Sequence, residues 1–97
     1  MPVVRTRDAF RALSDPRRRL LIEYLSEVPL SISEIQSKID ISGPAIYEHI
    51  RILKECRMLN VIRRRKRKYY SIKVEKLHGV VTWIEKVEKN KTRMMKK

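Results

Sequence analysis

The chain has 97 residues, room for one domain, and 24 Lys and Arg against 11 Asp and Glu give it a formal net charge of +13. Apolar residues make up 42% of it, enough for a core, though a core of this size is modest and a second copy would add buried area. The one cysteine, Cys56, excludes an internal disulfide and a multi-cysteine zinc site and fits a reducing cytoplasm, and no stretch approaches the ~20 apolar residues of a membrane span.

Residues 5–14 read as a short helix with Ala9, Phe10 and Leu13 on one side. Asp15-Pro16 punctuates it: aspartate caps a helix start, and proline fits a first turn whose N–H has no partner. A second helix is expected from about 16 to 27, with Leu20, Leu21, Tyr24, Leu25 and Val28 as its buried stripe and Ile22 off it, facing a partner subunit. Pro29 ends this helix, and Leu30 to Ile32 have the composition of a brief strand. A third helix starts from a capping box, either Ser31 with Glu34 or Ser33 with Gln36, and buries Ile35 and Ile39. Residues 40–43 form a turn, and Ser42 or Gly43 caps a fourth helix over about 44–56 with Ile46, Ile50 and Leu53 inward.

From Leu59 the pattern changes. Residues 60–64 and 68–73 are rich in β-branched and aromatic residues, with Arg65-Lys66-Arg67 between them. This is a basic hairpin whose inward face holds Tyr70 and Ile72. A last helix runs from about Val74, with Leu77, Val80, Val81, Ile84 and Val87 as an apolar stripe and Trp83 beside it. Residues 89–97 form a basic tail expected to fray.

A net charge this large repels itself unless the partner is a polyanion, which makes nucleic acid the first candidate and an anionic membrane surface the second. The membrane reading lacks a basic amphipathic helix with exposed aromatics, and Met1 to Phe10 lacks the apolar core of a signal peptide. No glycine loop cradles phosphate and no spacing suggests a nucleophile with its base, so an enzyme is not expected.

Two short helices joined by a tight turn make a helix-turn-helix over about 33–56, whose second helix would enter a major groove. With its apolar residues inward, that helix presents Pro44, Ala45, Tyr47, Glu48 and Arg51. Arg51 suits a guanine edge, Ala45 a thymine methyl, and Glu48 either cytosine N4 or an ion pair with Arg51. Tyr47 bonds a phosphate, covers bases or rests on the turn. The six consecutive bases Arg63, Arg64, Arg65, Lys66, Arg67 and Lys68 form a wing over about 60–73 that can neutralise phosphates at a minor groove.

In Phe10 to Ile22, Ser33-Glu34-Ile35, Ile46 to Cys56 and Tyr69 to Ile72, the chain resembles the ArsR-type family of winged helix-turn-helix regulators over about residues 9–73. The resemblance implies a homodimer paired through its first and last helices on an imperfect palindrome of double-stranded DNA near promoters. The expected architecture is a single mainly helical winged helix-turn-helix domain over 1–97, with residues 74–90 as the dimerisation helix and Leu77, Val80, Val81, Ile84 and Val87 at the interface. Two positions depart from the family pattern: Arg57 stands where glycine usually follows the recognition helix, and the hairpin tip lacks glycine.

Metal-sensing members carry closely spaced cysteines on the helix before the turn, and residues 34–40 here hold none. A second family site uses paired His and carboxylates on the last helix, where this chain offers one histidine, His78, with Glu75, Glu85 and Glu88. No metal or other cofactor is expected. His49 matches a position the family often fills with histidine, in a structural or phosphate-binding role. The rival function is non-specific binding of DNA or RNA, separated by whether two subunits occupy half-sites about one helical turn apart.

Overall fold

A computed structural model gives the backbone of residues 3–95 and the side-chain surroundings of residues 7–93. The elements run α1 (Val3–Leu13), α2 (Pro16–Glu27), α3 (Ile32–Lys38), α4 (Gly43–Glu55), β1 (Leu59–Arg64), β2 (Arg67–Ile72), a 3-10 turn (Val74–Leu77) and α5 (His78–Met95).

Local capping chemistry sets most of the boundaries. The Asp15 carboxylate accepts from the backbone N–H of Arg17 and Arg18, with Pro16 opening α2. Ser31, not Ser33, starts α3: its hydroxyl accepts from Glu34 N while Glu34 reaches back to Ser31 N at 2.9 Å. Ser42 caps α4 through Ala45 N. At the first residue of α4 a Cβ on Gly43 would come within 2.8 Å of Gln36 Nε2, so a larger residue there would displace that side chain.

Helix α2 packs one position away from the expected stripe. Its buried residues are Arg18, Leu21, Ile22 and Leu25, whereas Leu20 is 39% exposed and Val28, beyond the helix end, is exposed as well. Ile22 therefore belongs to the core rather than to a partner-facing surface. With this rotation Arg18 turns inward and ties α2 to the end of α1: Nε donates to Ala12 O at 3.1 Å, and Nη2 donates at 3.2 Å to Arg11 O, which Ser14 also bonds.

Ile35, Ile46, Ile50, Leu53 and Met58 complete the core beneath α3 and α4, and Tyr70 and Ile72 close it from the hairpin. At the end of α4 Arg57 adopts φ 60°, with Arg57 N bonded to Lys54 O and Met58 N to Leu53 O. This is the Schellman arrangement that glycine usually serves, formed here with a side chain in the left-handed region. Leu53 and Met58, the two residues that seal such a motif, are fully buried.

The hairpin pairs Leu59 with Ile72 through to Arg64 with Arg67, so its turn has two residues, Arg65 and Lys66, rather than the expected three. Both take positive φ, 49° and 70°. That is the signature of the turn whose twist matches paired strands, here adopted without Asn or Gly. The base of the hairpin is fixed twice: Leu30 exchanges both backbone hydrogen bonds with Tyr70 on the outer edge of β2, and Lys73 N donates to Met58 O at 2.8 Å.

The expected last helix is split: the 3-10 turn packs Leu77 partly on the core, and α5 then continues to Met95 instead of fraying from 89. Residues 96 and 97 of the expected tail lie outside the described residues. Val80 is only 8% exposed and joins the chain's own buried residues, while Val81, Ile84 and Val87 stand 49%, 45% and 45% exposed. Phe10 of α1 meets Trp83 of α5 edge to face, with centroids 5.5 Å apart.

Candidate nucleic-acid interface

Helix α4 is amphipathic in the sense the sequence predicted. Ile46, His49, Ile50 and Leu53 face inward; Pro44, Tyr47, Glu48 and Arg51 are exposed, and Ala45 is half-buried. Arg63, Arg64, Arg65, Lys66, Arg67 and Lys68 are all exposed. Directly paired residues of the hairpin share a face, so Leu59, Val61, Tyr70 and Ile72 lie on the same side as Arg63 and Lys68. The ribbon is thus apolar at its base, where it meets the core, and cationic at its tip.

The two basic and helical elements meet at one surface. Tyr47 of α4, Lys66, Arg67 and Lys68 of the wing, Tyr70, and residues 31–33 at the start of α3 line a single open concavity. Sequence reading missed Ser31 and Ser33 as part of this surface; the capping box that starts at Ser31 was the visible signal. At the hairpin tip Arg64, Arg65, Arg67 and Tyr69 surround a second hollow. Such a surface offers several cations and hydroxyl donors to a row of phosphates.

Arg51 is not free. Its Nε and Nη2 grip both oxygens of Glu48, with Nε to Oε1 at 3.1 Å, and Nη1 bonds Glu55. Glu55 is shared with Arg11 of α1 at 3.1 Å. The Arg51 guanidinium holds the Glu48 carboxyl below the usual carboxylate range. The ion-pair reading of Glu48 therefore describes the free protein.

Behind α4, buried Arg18 donates to Ser14 Oγ at 3.0 Å and to Nδ1 of His49 at 3.3 Å. A guanidinium only donates, so Nδ1 is the acceptor and the proton of neutral His49 sits on Nε2. Burial first, then the neighbouring Arg18 and Arg17 charges, push the His49 pKa down, against the pull of Asp15 and Glu48. His49 thus has the structural role. The charge of Arg18 hid this partnership, because a hydrophobic-periodicity reading passes over a buried arginine.

Among the described residues no three His, Cys, Asp or Glu side chains come together as a metal site, and no helix is long and apolar enough to cross a membrane.

A family model described as "Bacterial regulatory protein, arsR family" matches residues 15–61, the span from the α2 cap to β1. The transcriptional repressor SdpR of Bacillus subtilis (strain 168) is 30% identical over 77 residues, covering 79% of this chain and 86% of that protein. The HTH-type transcriptional regulator Rv2034 of Mycobacterium tuberculosis is 35% identical over 51 residues, covering 53% of this chain and 48% of that one. In three dimensions an ArsR-like transcriptional regulator from Rhodococcus sp. RHA1 superposes with a TM-score of 0.84 at 21% identity, over 95% of this chain and 84% of that chain. With the helix-turn-helix, the wing and these relatives agreeing, the chain belongs to the ArsR family of winged helix-turn-helix, DNA-binding transcriptional regulators.

Proposed function

We propose that the protein acts as a homodimer on double-stranded DNA, laying α4 of each subunit in a major groove and the β1–β2 wing along the flanking backbone or minor groove. Pro44, Ala45, Tyr47, Glu48 and Arg51 are the groove-facing residues in this reading, and Arg63 to Lys68 hold phosphate. The observation that carries it is the concavity shared by Tyr47 of α4 and Lys66, Arg67 and Lys68 of the wing. It lets one rigid surface engage base edges and backbone together.

The dimer is supported by α5. From Val81 to Arg93 every residue is exposed, yet Val81, Ile84 and Val87 keep a three-residue apolar spacing. A helix projecting into water with such a stripe is completed by a second copy related by a two-fold axis. Phe10 and Trp83 place α1 beside the same stripe. Leu77 and Val80, turned towards the chain's own core, support the base of α5 in this arrangement. We infer repression as the mode of regulation because the relative SdpR is a transcriptional repressor. The buried thiol of Cys56 suits work in a reducing cytoplasm.

Selection of bound duplexes from random DNA, followed by sedimentation of the complex, tests this function. The expected result is two protomers per duplex, on half-sites about one helical turn apart. One protomer per duplex, or equal affinity for double-stranded RNA, would replace it with non-specific nucleic-acid binding.

A further inference from the structure

The wing and the recognition helix differ sharply in charge. Residues 63–68 are six consecutive cations, whereas α4 carries Arg51 and Lys54 against Glu48 and Glu55 and has no net charge when His49 is neutral. Four side chains form a line across this neutral helix: Arg11 on α1, then Glu55, Arg51 and Glu48. The two carboxylates do not hold Arg51 in the same way.

A guanidinium has two edges that can each make a pair of parallel hydrogen bonds, the side edge of Nε with Nη2 and the end edge of Nη1 with Nη2. Glu48 takes the side edge with both oxygens. That leaves the end edge for the N7 and O6 acceptors of a guanine. Glu55 bonds Nη1, one of the two nitrogens of the end edge, and Arg11 holds the other Glu55 oxygen in place.

We propose that Glu48 is the positioning residue of base readout, keeping its grip on Arg51 in the complex, and that Glu55 is an in-built competitor that guanine must displace. This rests on the reading of α4 as the recognition helix. Glu48 fixes the plane of a long, flexible side chain before DNA arrives, so less rotamer freedom is lost on binding. Glu55 lowers affinity, because its contact is broken when the end edge turns to a base. All four side chains are about half exposed, so each pair is weak enough to exchange. When Arg51 leaves, Glu55 retains Arg11 as its partner, which keeps its carboxylate neutralised near the phosphates.

The experiment compares Glu48→Gln, Glu55→Gln and Arg51→Ala on the duplex chosen by selection and on a scrambled duplex, by fluorescence anisotropy. Both glutamine variants remove one negative charge, so simple electrostatics tightens both variants on both duplexes. The expected result is opposite signs on the selected duplex: Glu55→Gln binds about threefold tighter or more, and Glu48→Gln about threefold weaker. On scrambled DNA both tighten slightly, and in an Arg51→Ala background both lose their selected-duplex effect. Equal tightening of the two variants on both duplexes overturns the proposal while leaving α4 as the reader. Equal losses for Arg51→Ala on selected and scrambled duplexes overturn the reader assignment itself, and the proposal with it.

Discussion

Arg18 of α2 donates from Nη1 to Nδ1 of His49 of α4 across 3.3 Å, and both side chains are buried. The same guanidinium binds the last carbonyls of α1, so one side chain ties α1, α2 and the inner face of α4 together. The tie requires a neutral imidazole. A proton on Nδ1 would remove the acceptor and set two cations against each other in a site with little water.

Stability should therefore fall on mild acidification. The folded His49 pKa lies below the ordinary 6.5, so between the two values the unfolded chain binds the extra proton. The contribution is complete above about pH 6.5 and is lost as pH drops through the folded pKa. Asp15 and Glu48, whose carboxyls are shifted down, act at more acidic pH. Thermal melts from pH 7.5 to 5.5 should show a steeper fall for the wild type than for His49→Gln. Parallel curves would remove His49 as the cause.

Arg57→Gly should stabilise the protein by about 0.5–1 kcal/mol, since glycine takes the left-handed conformation without a Cβ clash but adds entropy to the unfolded chain. The backbone already has the Schellman bonds, so no rearrangement is needed. Urea denaturation measures it, and a lower midpoint would mean that the Arg57 side chain earns its place through contacts in the folded state.

At the wing tip conformation and charge pull in opposite directions. Replacing Arg65-Lys66 by Asn-Gly supplies the residues that the positive φ values favour and removes two cations. The variant should melt at a higher temperature yet bind DNA more weakly on every duplex, with the salt dependence flatter by about two units of slope. An unchanged slope would show that the tip does not touch phosphate.

The dimer prediction turns on neighbouring residues of α5. Ile84→Asp with Val87→Asp changes exposed positions and should give folded monomers that keep only weak, salt-sensitive DNA binding. Val80→Asp strikes a residue buried in the subunit itself and should unfold it. Light scattering and circular dichroism separate these outcomes, and an intact dimer in the double variant would take α5 out of the interface.

The sequence alone determined the features whose chemistry is local. Asp15-Pro16 and the pair Ser42-Gly43 mark helix starts because a capping oxygen reaches N–H groups only two or three residues ahead, and the structure selects Ser42 of that pair. The alternation of Tyr70 and Ile72, the run from Arg63 to Lys68, and the spacing of Ile46, Ile50 and Leu53 likewise follow from periods of two and near four. Tertiary structure decided what depends on a distant partner. Leu20 is exposed and Arg18 buried because Arg18 reaches Ala12 O of α1 and Nδ1 of His49 on α4, partners that no period within α2 can reveal. Val80 is buried in the subunit and Ile84 is not, although both belong to one stripe, because from Val81 to Arg93 the helix leaves the core and touches the body at its side, as Trp83 does at Phe10. Arg57, Arg65 and Lys66 take left-handed backbone because the chain must turn there to bring β2 back against the core. The hydrogen bonds and burial gained by that closure outweigh the modest strain at the three positions.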